Sequence, residues 1–303
     1  MVRCPYCDAT VTRSPSVVES HGFHEAWLRQ RNRARERYTG AGRQIVWRQQ
    51  SFLILKPIGQ GEHSEVFLAE RMAPFPERVV LKLARPTAPA GALAREAQTL
   101  KALQDIDGPT APFHRPLLPE PIAWGELDDP TASREILVLR HPTGYWGSLD
   151  QVLKYHSVGI DPRHGVWLWR RVLDILAYVH QAGWRHGQLS PDHWLVHPRD
   201  HGVRLLGWSG ARPHASREDQ AMDLRQTAWA LRWLLAGQQS ANATEPALPP
   251  RLPAPLADLL ARCCAGHGAT LADGARGINH QLQEAARAAF GPPRFIPFHP
   301  TAA

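Results

Sequence analysis

Cys4-Pro5-Tyr6-Cys7 is followed, after thirteen intervening residues, by His21-Gly22-Phe23-His24. Two thiolates and two imidazoles make a tetrahedral set for structural Zn2+, so Cys4, Cys7, His21 and His24 are a candidate zinc site. The histidines are closer together than the three to five intervening residues of a zinc finger. A degenerate half-site with unpaired thiols is therefore the competing reading. The letters Cys-Pro-Tyr-Cys also suit a redox dithiol, but that chemistry needs a βαβ context that the next fifty residues do not supply. Arg29, Arg31, Arg33, Arg35 and Arg37 come next, interrupted by Glu36. On a helix, a spacing of two spreads them around the axis. A basic module beside a zinc knuckle suggests a nucleic-acid adaptor, although only Trp27 and Tyr38 supply aromatic rings. A solvated linker or a site for an acidic protein are the alternatives.

The remaining composition bounds the answer. The chain has 303 residues, 43% hydrophobic and 21% charged, ordinary for a packed globular protein. The formal charge is +7. Residues 1–50 hold nine arginines against Asp8, Glu19, Glu25 and Glu36, so most of the excess sits in one sixth of the chain. Only four lysines occur, Lys56, Lys82, Lys101 and Lys154. The Arg, Ala and Pro bias points to bacterial codon usage. No apolar run reaches a bilayer span and no apolar leader opens the sequence, so the expectation is a cytoplasmic chain without membrane contact. The four cysteines are then reduced thiols. Cys263 and Cys264 lie in an apolar helical stretch and read as core.

Three regions follow from the patterning. Residues 1–48 form the Cys/His and basic segment. Residues 51–140 alternate apolar runs with Gly and Pro. Residues 144–290 read as helices separated by loops, and residues 291–303 form a tail. In the middle region, strands are expected at Phe52–Leu55, Val66–Ala69, Arg78–Leu83 and Glu135–Arg140. The turn Gly59-Gln60-Gly61-Glu62-His63-Ser64 joins the first two. Ala92–Leu103 has helical spacing, with Leu93, Ala97, Leu100 and Leu103 on one face. Helices are expected over Val166–His180 and Asp223–Ala236, and a Pro- and Ala-rich loop over Ala241–Pro255. Trp167, Trp169, Trp229 and Trp233 read as core filling, and most of the sixteen histidines as exposed. The fold class is α+β, with a small β-rich lobe before a larger helical one.

This layout resembles the protein kinase superfamily, in its bacterial serine/threonine-kinase-like form. Gly59-x-Gly61-x-x-Ser64-x-Val66 looks like the Gly-rich loop, with Ser in the third Gly position. Val79-Val80-Leu81-Lys82 looks like the strand carrying the phosphate-binding lysine, and Glu96 like its ion-pair partner. His186-Gly187-Gln188-Leu189-Ser190-Pro191-Asp192-His193 aligns with the catalytic loop. Leu206-Gly207-Trp208-Ser209 aligns with the strand and metal motif, and Asp223 resembles the structural aspartate of the large lobe. The similarity spans residues 51–290. It implies a two-lobed fold with Gly59, Gly61, Ser64, Val66, Lys82 and Glu96 around ATP.

The departures from that pattern concern chemistry. Phosphoryl transfer needs positioned phosphates, magnesium and a group that orients the nucleophile. Gln188 stands at the base position, and an amide cannot take a proton. A general base is worth about 10²- to 10⁴-fold. His193 stands where an asparagine would hold magnesium, which prefers oxygen ligands. Gly207 replaces the other metal ligand with no side chain. Only sixteen positions separate Gly207 from Asp223, too few for a peptide-docking segment. The resemblance therefore implies a pseudokinase that acts as a regulator or scaffold for a protein partner, with Lys82 and Glu96 open to two readings: a contact for ATP without magnesium, or a purely structural brace between sheet and helix. The alternatives are an active atypical phosphotransferase, with Asp192 as the substitute acid, and the nucleic-acid adaptor. At the turn tip, Glu62 would repel a γ-phosphate unless His63 or a cation offsets it. Asp223 is expected at a helix N-terminus, and Trp208 between the lobes.

Overall fold

The computed structural model describes residues 2–3, 10–11, 42–61, 63–73, 76–128, 133–237, 245–266 and 271–301. Near the start, β1 (Val2–Arg3) and β2 (Thr10–Val11) pair antiparallel. The expected zinc ligands Cys4, Cys7, His21 and His24, the arginine series and Glu62 all lie outside the described residues.

A curled, six-stranded antiparallel sheet dominates the first half. Its strands are β3 (Gln44–Trp47), β4 (Gln50–Gln60), β5 (Ser64–Met72), β6 (Glu77–Ala84), β7 (Pro121–Leu127) and β8 (Arg134–Arg140). Their order across the sheet is β3-β4-β5-β6-β8-β7. β4, β5, β6 and β8 contain the four expected strands. β3 and β7 are additions, and β3 pairs along its whole length with Gln50–Leu53. The sheet thus begins before residue 51. Alternation follows the pleat, with Val79, Leu81 and Leu83 of β6 buried.

Helix α1 (Ala92–Gln104) connects β6 towards β7. Its buried stripe, Leu93, Glu96, Ala97, Leu100 and Leu103, has helical period and carries one carboxylate among alkyl groups. The first turn has no local cap. A Glu135 carboxylate from β8 accepts from the Leu93 backbone N–H at 2.7 Å, tying the helix to the sheet.

The second half is helical around a small sheet. After a one-turn helix α2 (Ala111–His114) and the strands come α3 (Leu149–Leu153), α4 (Pro162–Gln181), α5 (Arg217–Ala236), α6 (Ala254–Ala265) and α7 (Gly274–Phe290). Strands β9 (Gly147–Ser148), β10 (Trp194–His197) and β11 (Gly202–Leu205) form an antiparallel sheet ordered β11-β10-β9. The two long helices start earlier than their apolar stripes, because polar caps initiate them. Asp161 accepts from Arg163 N–H, and Ser216 with Asp219 forms a capping box. Asp223 therefore sits in the second turn of α5 and not at its N-terminus.

One apolar cluster runs from α1 and β8 into α4, α5, α6 and α7, and a second fills the opposite face of the sheet. Cys263 and Cys264 are buried in the first, as expected, and burial pushes their thiols up to about 12 and about 11. The expected tail is part of this body: Phe298 is buried against α4, its ring 4.9 Å from that of His164. Among the described residues, no helix is long and apolar enough to cross a membrane.

The loop before α4 and the end of α5 interlock through two glycines. A Cβ on Gly237, which has φ +84°, would stand 2.5 Å from Ser157 O and 2.6 Å from Val158 C. Backbone atoms cannot yield as a side chain can. Gly237→Ala is expected to lower unfolding stability by about 2–4 kcal/mol, read from urea titration at constant m-value.

Candidate functional site

Lys82 lies in mid-β6, paired in register with Val66 of β5 and Leu137 of β8. Its Nζ contacts Glu96 Oε2 at 2.5 Å. The two side chains are 15% and 4% exposed, so this pair escapes most solvent screening. Removing Lys82 would leave the Glu96 carboxylate buried without its counter-charge, a loss on the order of 3–5 kcal/mol for such pairs. The expected Gly-rich turn is at the end of the adjacent hairpin. Gly59 pairs with Val66, Gly61 N–H donates to Ser64 O at 2.8 Å, and Ser64 is buried. Gly59, Gly61, Ser64, Val66, Lys82 and Glu96 thus share the hairpin and the strand and helix beside it.

The segment His186–His193 is held by α5. Asp223, 1% exposed, accepts from His186 N–H and Gly187 N–H at 2.7 Å each, and its Oδ2 lies 2.9 Å from His180 Nε2. One turn on, Gln226 accepts from Leu189 N–H at 2.9 Å and donates to Gly187 O at 3.2 Å. A rigid helix thereby fixes the backbone of His186, Gly187 and Leu189. Asp223 is structural, as expected, but it lies within the helix and the backbone N–H groups it accepts are those of the loop and not of its own helix's first turn.

His186 is fully buried. Its Nε2 donates to Leu206 O at 2.8 Å, and its Nδ1 accepts from Gln188 N–H at 3.2 Å. Both bonds suit the neutral ring. Burial, only partly opposed by Asp223, holds its pKa down at about 4. His180 and His186 are thus core histidines, and among the described histidines only His214, His280 and His299 are exposed, contrary to the expectation of mostly exposed ones. Trp208, fully buried, packs its ring 4.3 Å from that of His186 and donates to Leu205 O at 2.9 Å. Its turn packs on α1, so this indole joins the sheet-side helix to the second half of the chain.

His193 and Gly207 fit together. His193 Nδ1 donates to Gln188 O at 2.7 Å, and the ring lies over Gly207. A Cβ on Gly207 would be 2.7 Å from His193 Cγ and nearer still to Cε1 and Nδ1. Gly207 also has φ +79°, the left-handed region. The imidazole therefore occupies the space that any side chain at 207 would need. Asp192 is exposed, with Oδ2 3.5 Å from His193 Nε2. Gln188 accepts from Ser209 Oγ at 3.3 Å. Among the described residues, no three His, Cys, Asp or Glu side chains converge as a metal site.

Trp229 and Trp233 are only half-buried, unlike fully buried Trp169. They line an open cavity of about 460 Å³ with Gln188, Ser190, Pro191, His193 and Gln226. Sequence reasoning missed this groove. Their i, i+4 spacing reads as core until it is known that the connection from β11 to α5 leaves that face open.

Comparison of the chain with models of known families finds no match, and comparison with curated proteins finds none.

Two outcomes follow from these contacts. Gly207→Asp is expected to destabilise the protein by about 2–3 kcal/mol through the clash with His193, and His193→Asn in the same chain to recover at least half of that, both read from urea midpoints. The depressed His186 pKa means that the folded state resists taking up a proton. The stability it contributes is complete above pH 6.5 and lost as pH falls towards 4. Urea midpoints at pH 7, 5.5 and 4 should decline, with about 3 kcal/mol of the total owed to this ring.

Proposed function

We propose that this chain is a protein-kinase-like pseudokinase: it binds a nucleotide such as ATP without magnesium and serves as a regulator or scaffold for a protein partner. The reading draws on three features together. A helix lies between the third strand of the β4-β5-β6-β8-β7 array and its last pair. A lysine in that third strand is ion-paired to the helix. A buried carboxylate holds the loop that aligns with the catalytic segment.

The observation that carries the loss of catalysis is the His193 ring packed into the place of a side chain at 207. Phosphoryl transfer depends on metal ions that bridge the phosphates and on a group that orients the nucleophile. Here an imidazole and a glycine stand at the two metal positions, and Gln188 at the base position. The imidazole fills the space, so restoring a carboxylate at 207 alone does not rebuild a magnesium site. Lys82 with its brace Glu96 still offers one cation to a phosphate. Zinc at Cys4, Cys7, His21 and His24 belongs to the same proposal on sequence grounds, as do the bacterial, cytoplasmic setting and the alternative role for the arginine-rich segment. Asp192, exposed beside His193, is the acid that an active enzyme would use under the alternative reading.

The test is calorimetric titration with ATP, with and without magnesium, of the wild type and Lys82→Met. The expected outcome is binding with the same dissociation constant under both conditions, weakened at least tenfold by Lys82→Met, about 1.4 kcal/mol. Binding strengthened by magnesium would point to Asp192 and phosphotransfer. The absence of binding by folded protein at millimolar ATP would remove the nucleotide from the reading.

A further inference from the structure

We propose that the groove between α5 and the Gln188–His193 loop is a docking site for an extended, uncharged, proline-containing segment of a partner protein. The inference rests on the partner-binding half of the functional reading and gives that partner a chemistry.

The groove has the size of a ligand site and is open to solvent along one side. None of residues 207–216 lines it, so the connection to α5 does not cover the indoles. Among the described residues its lining carries no carboxylate, guanidinium or ammonium, and its one ionisable side chain is the His193 imidazole, although the chain as a whole is +7. A phosphate backbone or a charged peptide gains nothing by being desolvated against such a surface. The lining offers aromatic faces, Pro191, the amides of Gln188 and Gln226, the His193 imidazole and the Ser190 hydroxyl.

Trp229 and Trp233 narrow the occupant further. They are one helical turn apart, about 6 Å along the axis. Neither indole N–H has a protein acceptor among the described residues. The Arg232 guanidinium lies 5.2 Å from the Trp229 ring centroid and steadies it. Such a surface suits a ligand that combines apolar rings with carbonyls not already used by its own backbone. An α-helix has spent its carbonyls internally. A polyproline II segment has no internal hydrogen bonds and rises about 3.1 Å per residue, so residues two apart match the indole spacing. It also loses little chain entropy on binding, and aromatic grooves use it for that reason.

The experiment is fluorescence anisotropy with labelled decaproline, against labelled deca-glutamate, deca-lysine and a single-stranded oligonucleotide, on the full chain. Decaproline is expected to saturate below about 1 mM, a binding free energy of about 4 kcal/mol, and the charged probes not to saturate through the groove. Trp233→Ala and Ser190→Arg, on opposite walls, should each weaken decaproline at least tenfold. Trp229→Phe keeps the ring and removes the N–H, and should weaken it about three- to fivefold. Urea midpoints of each variant establish that it is folded. No saturation by decaproline, unchanged affinity in folded Trp233→Ala and Ser190→Arg, or preference for a charged probe that those variants abolish would each overturn the proposal. ATP titration of the same samples separates the two readings: retained nucleotide binding with failed decaproline binding removes the groove proposal alone.

Discussion

The carboxylate of Asp223 holds the candidate site together. It is almost wholly buried, and it accepts two backbone N–H groups from the loop while lying against the His180 ring. A buried charge is tolerated only when hydrogen bonds and a polar partner replace its water. The loop must therefore approach α5 closely, and Gln226 extends the clamp by one turn. From that fixed backbone the rest of the site follows. His186 points inward as a neutral ring between Leu206 and Gln188, Trp208 packs on it, and His193 is delivered over Gly207.

The frame is ordered, and the side chains that the proposed kinase-like reading puts at the reactive positions are held in other contacts. His193 donates to Gln188 O instead of presenting an oxygen to a metal, and Gln188 accepts from Ser209. His193 and Gly207, fourteen residues apart along the chain, are complementary in space: an imidazole needs room, and a residue without a side chain provides it. Lys82 and Glu96 belong to the other half of the arrangement. Their ion pair fastens α1 to the sheet, and Trp208 fastens α1 to the helical part. One pair of charges thus joins structural bracing to the proposed phosphate contact.

Much of this was legible in the residues. The alternation of β6 and the stripe of α1 marked a strand and a following helix, the resemblance paired Lys82 with Glu96 on them, and their separation of fourteen residues holds the end of the strand, one loop and little more than one helical turn. β3 was not legible, because Gln44–Trp47 is four residues long and follows a basic segment with no apolar period. β7 opens with Pro121 and contains Gly125, both of which argue against a strand unless it lies at an edge, where the missing donor costs nothing. The position of Asp223 within α5 was missed because the helix starts at a capping box of Ser216 and Asp219, six residues before the apolar stripe becomes evident. The groove at Trp229 and Trp233 depends on which side of a helix is left uncovered, a tertiary property that helical spacing does not encode.

The central claim is that this frame holds a nucleotide without transferring its phosphate. Single-turnover incubation of excess protein with γ-labelled ATP and magnesium, followed by separation of labelled protein and free phosphate, tests it most directly. The account predicts label release and incorporation at the level of the Lys82→Met protein. Magnesium-dependent transfer that disappears in both Lys82→Met and Asp192→Asn would contradict it, and would make the chain an enzyme with a relocated acid.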